Sequence, residues 1–292
     1  MYYLLSHRTT YSYASSVDSA NHIAHLRARS FPGQTVTSIG ITAHPAPSMA
    51  VQHVDHFGNL VDILRIDQPH QRFDIEVRAA VEVSFPVPPP ASQTPPWEEI
   101  AKALSGDGFP QPIEASEFVH ESPLVPFDDA LEAYGAQSFK PGRPILAAAR
   151  ELTTRIKADF EYHPGATDIS TPLHEVFAGK AGVCQDFAHV MIAALRAHGL
   201  AAAYVSGYIR TVHTAEEVAL RGGDASHAWV AVWCGDKAGW VHLDPTNDLV
   251  AHEDHVAVAW GRDFSDVSPL RGVILGGDSH VYSVAVTLVP TS

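Results

Sequence analysis

The chain of 292 residues contains only two cysteines, Cys184 and Cys234, 50 positions apart. A disulfide-dense scaffold and a cysteine-built structural zinc site are excluded, because both need several sulfurs at close spacing. Positive charge is also scarce: 19 Lys and Arg stand against 33 Asp and Glu, a formal net charge of −14. Unspecific attraction to phosphate backbones or anionic lipid is therefore disfavoured, and neither nucleic acid nor a membrane is expected as a partner. Long apolar runs are missing, the nearest candidates around Ala147 and Ala201 being broken by Arg150, Ser206 and Arg210. The opening Met1-Tyr2-Tyr3-Leu4-Leu5-Ser6-His7-Arg8 lacks the basic segment, apolar stretch and cleavage site of a secretory signal. The expectation is a soluble, cytoplasmic protein. Apolar residues at 46% and charged ones at 18% exclude a disordered chain and a coiled coil. The length suits two domains, or one with a large extension.

Charge divides the sequence unevenly. Residues 1–85, 86–140 and 141–292 carry net charges of −1, −7 and −6. The middle part opens with six prolines in the eleven residues from Pro86 to Pro96, where fixed φ and missing amide donors argue for a linker or strap. The first part reads as a β-rich domain. Phe73, Ile75, Val77, Ala79, Val81, Val83 and Phe85 alternate with mostly polar residues, which predicts a long half-buried antiparallel strand. Val51–Phe57 and Leu60–Ile66 flank Gly58-Asn59, a pair suited to a tight two-residue hairpin turn. The third part mixes signals. Ile145, Leu146, Ala149, Leu152, Ile156 and Phe160 follow helical spacing after Pro144, and Thr171-Pro172 with Gly179 marks a second, shorter helix.

From Cys184 the apolar positions Phe187, Ala188, Met191, Ile192 and Leu195 trace one helix face that Gly199 ends. Cys184 then sits in the first turn, where unpaired N–H groups and the positive end of the helix dipole favour a thiolate. His189 follows at a rotation of roughly 140° and cannot reach the sulfur; it is expected to be solvated or supporting. A better partner is His227 in Ser226-His227-Ala228-Trp229-Val230-Ala231-Val232-Trp233, a strand followed by a turn and by Trp240–Asp244. If opposed residue numbers in this hairpin sum to about 471, His227 faces Asp244. A thiolate, a histidine that moves its proton and a carboxylate that orients the histidine are the needs of covalent acyl transfer.

The blocks Gly182-Val183-Cys184-Gln185-Asp186-Phe187-Ala188-His189, Ser226-His227-Ala228-Trp229-Val230 and Trp240-Val241-His242-Leu243-Asp244-Pro245-Thr246-Asn247 occur in that order. In this order they resemble the core of bacterial transglutaminase-like proteins. The resemblance extends to Gly261–Gly272 and to Asp55-His56-Phe57-Gly58-Asn59, which looks like the β-domain preceding that core in one bacterial subfamily. It implies an α+β fold: a papain-like core at 141–292, with a nucleophile helix packed on an antiparallel sheet, after an antiparallel β-sandwich-like domain at 1–85 and the connecting segment 86–140. It also implies Cys184 as nucleophile, His227 as general base and acid, and Asp244 as orienting carboxylate. The reaction would be acyl transfer from a protein or peptide amide through a thioester to an amine or water. A small-molecule acyltransferase like the arylamine N-acetyltransferases, or a non-catalytic binding scaffold, are the alternatives.

The animal enzymes of this kind place an aromatic residue well upstream of the cysteine to stabilise the oxyanion, and the only tryptophan before Cys184 here is Trp97. Tyr162 is the candidate for a second oxyanion donor beside the Cys184 N–H. Asp186 and Arg262 are carried as further candidates for substrate or oxyanion contact, although Arg262 with Asp263 and Asp266 could equally cap a loop. No cofactor is expected. Nor is a metal: there is no EF-hand loop, and the histidine pairs His22/His25, His53/His56 and His252/His255 lack zincin spacing. Cys234 reads as a small packing residue.

Overall fold

A computed structural model describes residues 1–106, 113–210 and 226–291. The first unit is organised by β1 (Tyr2–Ala24), a strand of 23 residues. After it come β2 (Gln34–His44), β3 (Met49–Val54), β4 (Leu60–Ile66) and β5 (His70–Val83). β5 and β4 lie end to end along β1, with Tyr2 opposite Glu82, Val17 opposite His70 and Ala20 opposite Ile66. β2 extends the sheet beyond β5, and β3 extends it beyond β4. The alternation read from Phe73 to Phe85 is the buried face of β5 as far as Val83, where the strand ends two residues early. The turn between β3 and β4 is longer than the two residues expected. β3 stops at Val54, and the Asp55 carboxylate then accepts the N–H groups of Phe57 and Asn59, so the motif Asp55–Asn59 forms a closed five-residue loop.

The connecting segment carries α1 (Trp97–Leu104), α2 (Ile113–Ser116) and α3 (Asp129–Ala136). The core then runs through α4 (Ile145–Asp159), β6 (Glu161–Tyr162), α5 (Leu173–Gly179), β7 (Ala181–Gly182), α6 (Cys184–Arg196), β8 (Ala202–Ile209), β9 (Ser226–Trp233), β10 (Trp240–Asp244), β11 (Leu249–Val250), β12 (His255–Gly261) and α7 (Phe264–Val267). Five strands form an antiparallel sheet in the order β11-β10-β9-β8-β12. α6 packs on β9 and β8, and its residues Phe187–Leu195 are all buried. Gly179 is the last residue of α5 rather than its stop; Lys180, at a left-handed φ of 51°, ends the helix.

The chain's last two strands do not belong to the core sheet, as the range 141–292 had implied. β13 (Leu270–Gly276) and β14 (His280–Thr291) return to β1, pairing Ala24 with Leu270 and Tyr2 with Thr291. The first unit is thus a seven-stranded sheet, built from both chain ends around one long central strand.

Two carboxamides join the units. β12 is an edge strand of the core sheet, and an edge leaves backbone donors and acceptors unpaired. Gln34 donates to the Ala257 carbonyl at 2.7 Å and accepts the Ala257 N–H at 2.8 Å. Asn59 does the same with Trp260, at 2.7 and 2.8 Å. Each side chain therefore stands in for one residue of a neighbouring strand. Replacing Asn59, which is fully buried, by Ala should leave those backbone groups unpaired and lower stability by about 1–3 kcal/mol. Chemical denaturation checks this, with the exposed Gln52→Ala as a control expected within about 0.5 kcal/mol of the parent.

Candidate active site

The start of α6 is shaped by a missing side chain. A Cβ on Gly182 would meet the Asp186 carboxylate at 2.5 Å, so only glycine lets that carboxylate fold back over the helix start. Asp186 Oδ2 accepts the Val183 N–H at 2.8 Å and the Thr167 hydroxyl at 2.6 Å. Cys184 is consequently the first residue of the helix and is only partly buried.

Across from it, His227 is the second residue of β9. The hairpin register differs from the expected one: Trp240 pairs with Trp233 and Leu243 with Val230, so opposed numbers sum to 473 rather than 471. Asp244 therefore falls opposite Trp229, and His227 lies diagonally two residues on. Because the shift is an even number, both side chains keep the same face of the sheet. His227 Nε2 donates to Asp244 Oδ2 at 2.8 Å, and its ring is also a hydrogen-bond partner of the Cys184 side chain. With Nε2 occupied by the carboxylate, Nδ1 is the nitrogen left for the sulfur.

Asp244 is fully buried and accepts five hydrogen bonds, from His227, His255, the Asn247 amide and the N–H groups of Thr246 and Asn247. Burial opposes its charge, but these donors hold its pKa well below the ordinary carboxylate value. For His227, burial alone would lower the pKa; the bonds to Asp244 and Cys184 and their charges outweigh it and raise the pKa to about 10. His255, the second histidine on Asp244, behaves oppositely. It donates from Nε2 at 3.2 Å, its Nδ1 accepts the His252 N–H at 3.3 Å, and burial lowers its pKa, so it is the neutral Nε2–H tautomer. Sequence reasoning missed His255, seeing only half of a metal-like pair; the adjacent acidic residues gave no hint that its partner was Asp244.

The other expected residues lie as follows. Tyr162 pairs through its backbone with Gly182 and packs edge-on against Phe187, half-exposed beside the thiol, whose charge adds to burial in raising the phenol pKa. Arg262 is not brought to Cys184. It forms a two-pronged pair with Asp266 at 2.9 and 3.0 Å and caps the loop before α7. His189 is neither solvated nor near the sulfur; buried beneath Tyr204, it accepts the Phe264 N–H at 3.2 Å. Trp97 packs on Phe139 and His198, by the far end of α6. Cys234 is buried and its thiol pKa is pushed up to about 12, as suits a packing residue. Tyr204 was not singled out in the sequence. Its buried phenol feels the charges of Cys184 and Asp186.

The ligand atoms of His227, Asp244 and His255 lie within 4.8 Å of one another, so this set could hold a metal ion. Each is already engaged by a hydrogen bond within the set. The three sequence pairs turn to different partners: His25 approaches Asp55, His56 pairs with Glu117, and His255, whose ring meets that of His252 edge-on at 5.0 Å, reaches Asp244.

Comparison with known proteins identifies two families along the chain. Residues 133–245 match the family described as the transglutaminase-like superfamily, and residues 3–82 match the bacterial transglutaminase-like N-terminal region. The chain belongs to the transglutaminase-like superfamily. A general cysteine-based catalytic function goes with that membership. Among the relatives of this superfamily member are the uncharacterized proteins Rv2569c of Mycobacterium tuberculosis, 38% identical over 99% of this chain and 92% of its own, and ML0607 of Mycobacterium leprae, 30% identical over 97% and 96%. The fold is similar to a candidate cysteine protease from Cytophaga hutchinsonii, at a TM-score of 0.77 and 20% identity over 100% of this chain and 92% of that one. Among the described residues no helix is long and apolar enough to cross a membrane.

The raised His227 pKa has a direct consequence. A histidine that gains partners on folding contributes stability in full below its unfolded value near 6.5, and that contribution is lost as pH rises through about 10. Ring ¹⁵N spectra should show His227 doubly protonated at pH 8, titrating towards 10, and Asp244→Asn should move the midpoint down. A midpoint near 6.5 in the parent protein would contradict the assignment.

Proposed function

We propose that the chain is a cysteine-dependent acyl-transfer enzyme that acts on protein or peptide amides. The observation that carries the reading is the line of contacts from Cys184 through His227 to the buried Asp244. In the first half-reaction the Cys184 thiolate attacks the amide carbonyl carbon. His227, as imidazolium, gives its Nδ1 proton to the departing nitrogen; the C–N bond breaks, an amine leaves, and a thioester remains. In the second, an amine or water attacks the thioester carbon, gives a proton to the neutral His227, and expels the thiolate, which restores the ion pair. Asp244 carries no proton in either step; it fixes the ring and stabilises the imidazolium. The N–H of Cys184, in the first turn of α6, has no acceptor within the helix and supports an oxyanion there.

Three groups linked in series through His227, one of them a fully buried carboxylate, favour catalysis over a binding scaffold. The test is acylation by 4-nitrophenyl acetate followed by a peptide-amide screen, with intact-mass detection of the thioester. One acetyl group should appear on Cys184 and none on Cys234. Cys184→Ala should abolish it, and His227→Ala should slow it by about 10²–10⁴-fold. Turnover of a peptide amide that survives in Cys184→Ala would overturn the proposal.

A further inference from the structure

We propose that a cavity at the junction of the two units binds a small aromatic carboxylate, whose charge pairs with Arg29 and whose ring packs among Phe57, Phe118, Trp240 and Trp260. The site stands apart from the acyl-transfer reading, since none of Cys184, His227 and Asp244 lines it. Its volume of about 790 Å³ lies within the roughly 300–1,000 Å³ of small-molecule sites. One wall comes from Arg29 and the Asp55–Asn59 loop, a second from the connecting segment around Glu117 and Phe118, and a third from Trp240 of β10 with Trp260 of β12. The rings adjoin in a row: Phe57 to Phe118 at 5.9 Å, Phe118 to Trp240 at 5.4 Å and Trp240 to Trp260 at 6.2 Å between centroids. Phe57 and both tryptophans are only partly buried, which leaves aromatic surface for a flat ligand.

The charged part of the wall is a cation short of a counter-charge. The Arg29 guanidinium lies 4.7 Å over the Trp260 ring and spends Nη1 on the Phe57 carbonyl and the Asn59 side chain, at 3.1 and 2.8 Å. Among the described residues nothing accepts from Nε or Nη2, and Arg29 forms no ion pair. The nearby carboxylate, Asp55, is used by its own loop, where it accepts from Phe57 and Asn59. Burial pulls the Arg29 pKa down, with Asp55 opposing the fall. Nε is shut away from water, as is the equally unpartnered indole Nε1 of Trp260. Nη2 lies at the lining residue Gly58, where a Cβ would come within 3.3 Å of it. A ligand carboxylate at Nη2 adds the missing acceptor and the opposite charge together. Two acidic residues also line the cavity: Glu117 is held by His56 at 2.6 Å, and Glu114 is exposed. A chain of net charge −14 repels anions at a distance, so what holds one here is short-range pairing in a partly desolvated site.

The experiment is calorimetric titration of 3-phenylpropionate and indole-3-acetate, each against its uncharged amide, into the full chain and its variants Arg29→Gln, Glu114→Lys and Cys184→Ala. The parent should bind at least one acid saturably, and about tenfold or more tightly than the matching amide. Arg29→Gln should lose about tenfold or more in affinity for the acid and keep its affinity for the amide. Glu114→Lys, which exchanges an exposed negative charge on the wall for a positive one, should tighten the acid by about two- to fivefold. Cys184→Ala should bind like the parent, because the site does not use the thiol. Arg29→Gln also removes two bonds to the loop, so its thermal unfolding is recorded first; if it does not fold, Glu114→Lys decides. Three results overturn the proposal: no saturable binding of either acid to the parent, equal affinity for acid and amide, or acid affinity unchanged in the charge variants.

Discussion

A full negative charge at Asp244, shut away from water, is the constraint around which the core sheet is arranged. An unpaired carboxylate there would be expensive, and the protein meets this with five donors drawn from β9, β12 and the turn after β10. Two of those donors are imidazoles on the same oxygen, yet they differ in charge. His227 has a second partner in the Cys184 side chain, which favours its proton; His255 has only the His252 N–H, which needs an unprotonated nitrogen. One carboxylate thereby fixes the tautomer of one ring and the charge of the other. β12 has to be in place for this to work, since His255 is its first residue.

That requirement explains the construction at the far side of β12. An edge strand that carries a ligand of the central carboxylate cannot be left free to fray or to pair with another chain. Gln34 and Asn59 close it with single side chains, and Phe31 and Phe85 pack on His242, which in turn accepts the Trp229 indole N–H at 3.0 Å. Trp229 lies over Gly207, where any Cβ would meet its ring at 2.6 Å and collide with the Val256 carbonyl. The N-terminal sheet thus supports the same face of the core sheet that carries His227 and Asp244.

Much of this was legible in the sequence because local rules dominate it. The apolar positions of α6 and the alternation of β5 follow from periodicities of 3.6 and 2 residues, while the order of the three motif blocks was legible through the resemblance they carry. What stayed hidden depends on contacts distant in sequence. The hairpin register was off by two because nothing local distinguishes 471 from 473 in a strand buried on both faces; the parity, which decides the face, was right. The return of β13 and β14 to β1 is a pairing across more than 240 residues in which only the register of the assembled sheet decides the partner. Arg262 was ambiguous because its partner four residues on, Asp266, could as well have faced the cleft.

The segment that composition left least interpretable, with its prolines and its net charge of −7, is held in place by apolar anchors such as Ile100, Leu104 and Leu131 and by two buried charges outside it. Arg196, at the last turn of α6, donates to the carbonyl of Phe118 at 2.9 Å and to the Ser122 hydroxyl at 3.1 Å, and also to the carbonyls of Ala202 and Arg262. Asp263, which caps α7, accepts the Leu124 N–H at 2.8 Å. Burial pulls the Arg196 pKa down to about 10, with Asp263 opposing that fall, so the guanidinium stays charged at neutral pH and its four bonds are charge-assisted. Residues 118–124 are held by these hydrogen bonds together with the buried ring of Phe118, which packs on Phe57 and Trp240 as a single apolar anchor with no periodic pattern around it. The same clamp sets Leu124 into the wall of the cavity that Gln185, Asp186 and His189 of α6 line. A helix that begins at the thiol therefore ends at the residue that fixes the connecting segment to the core.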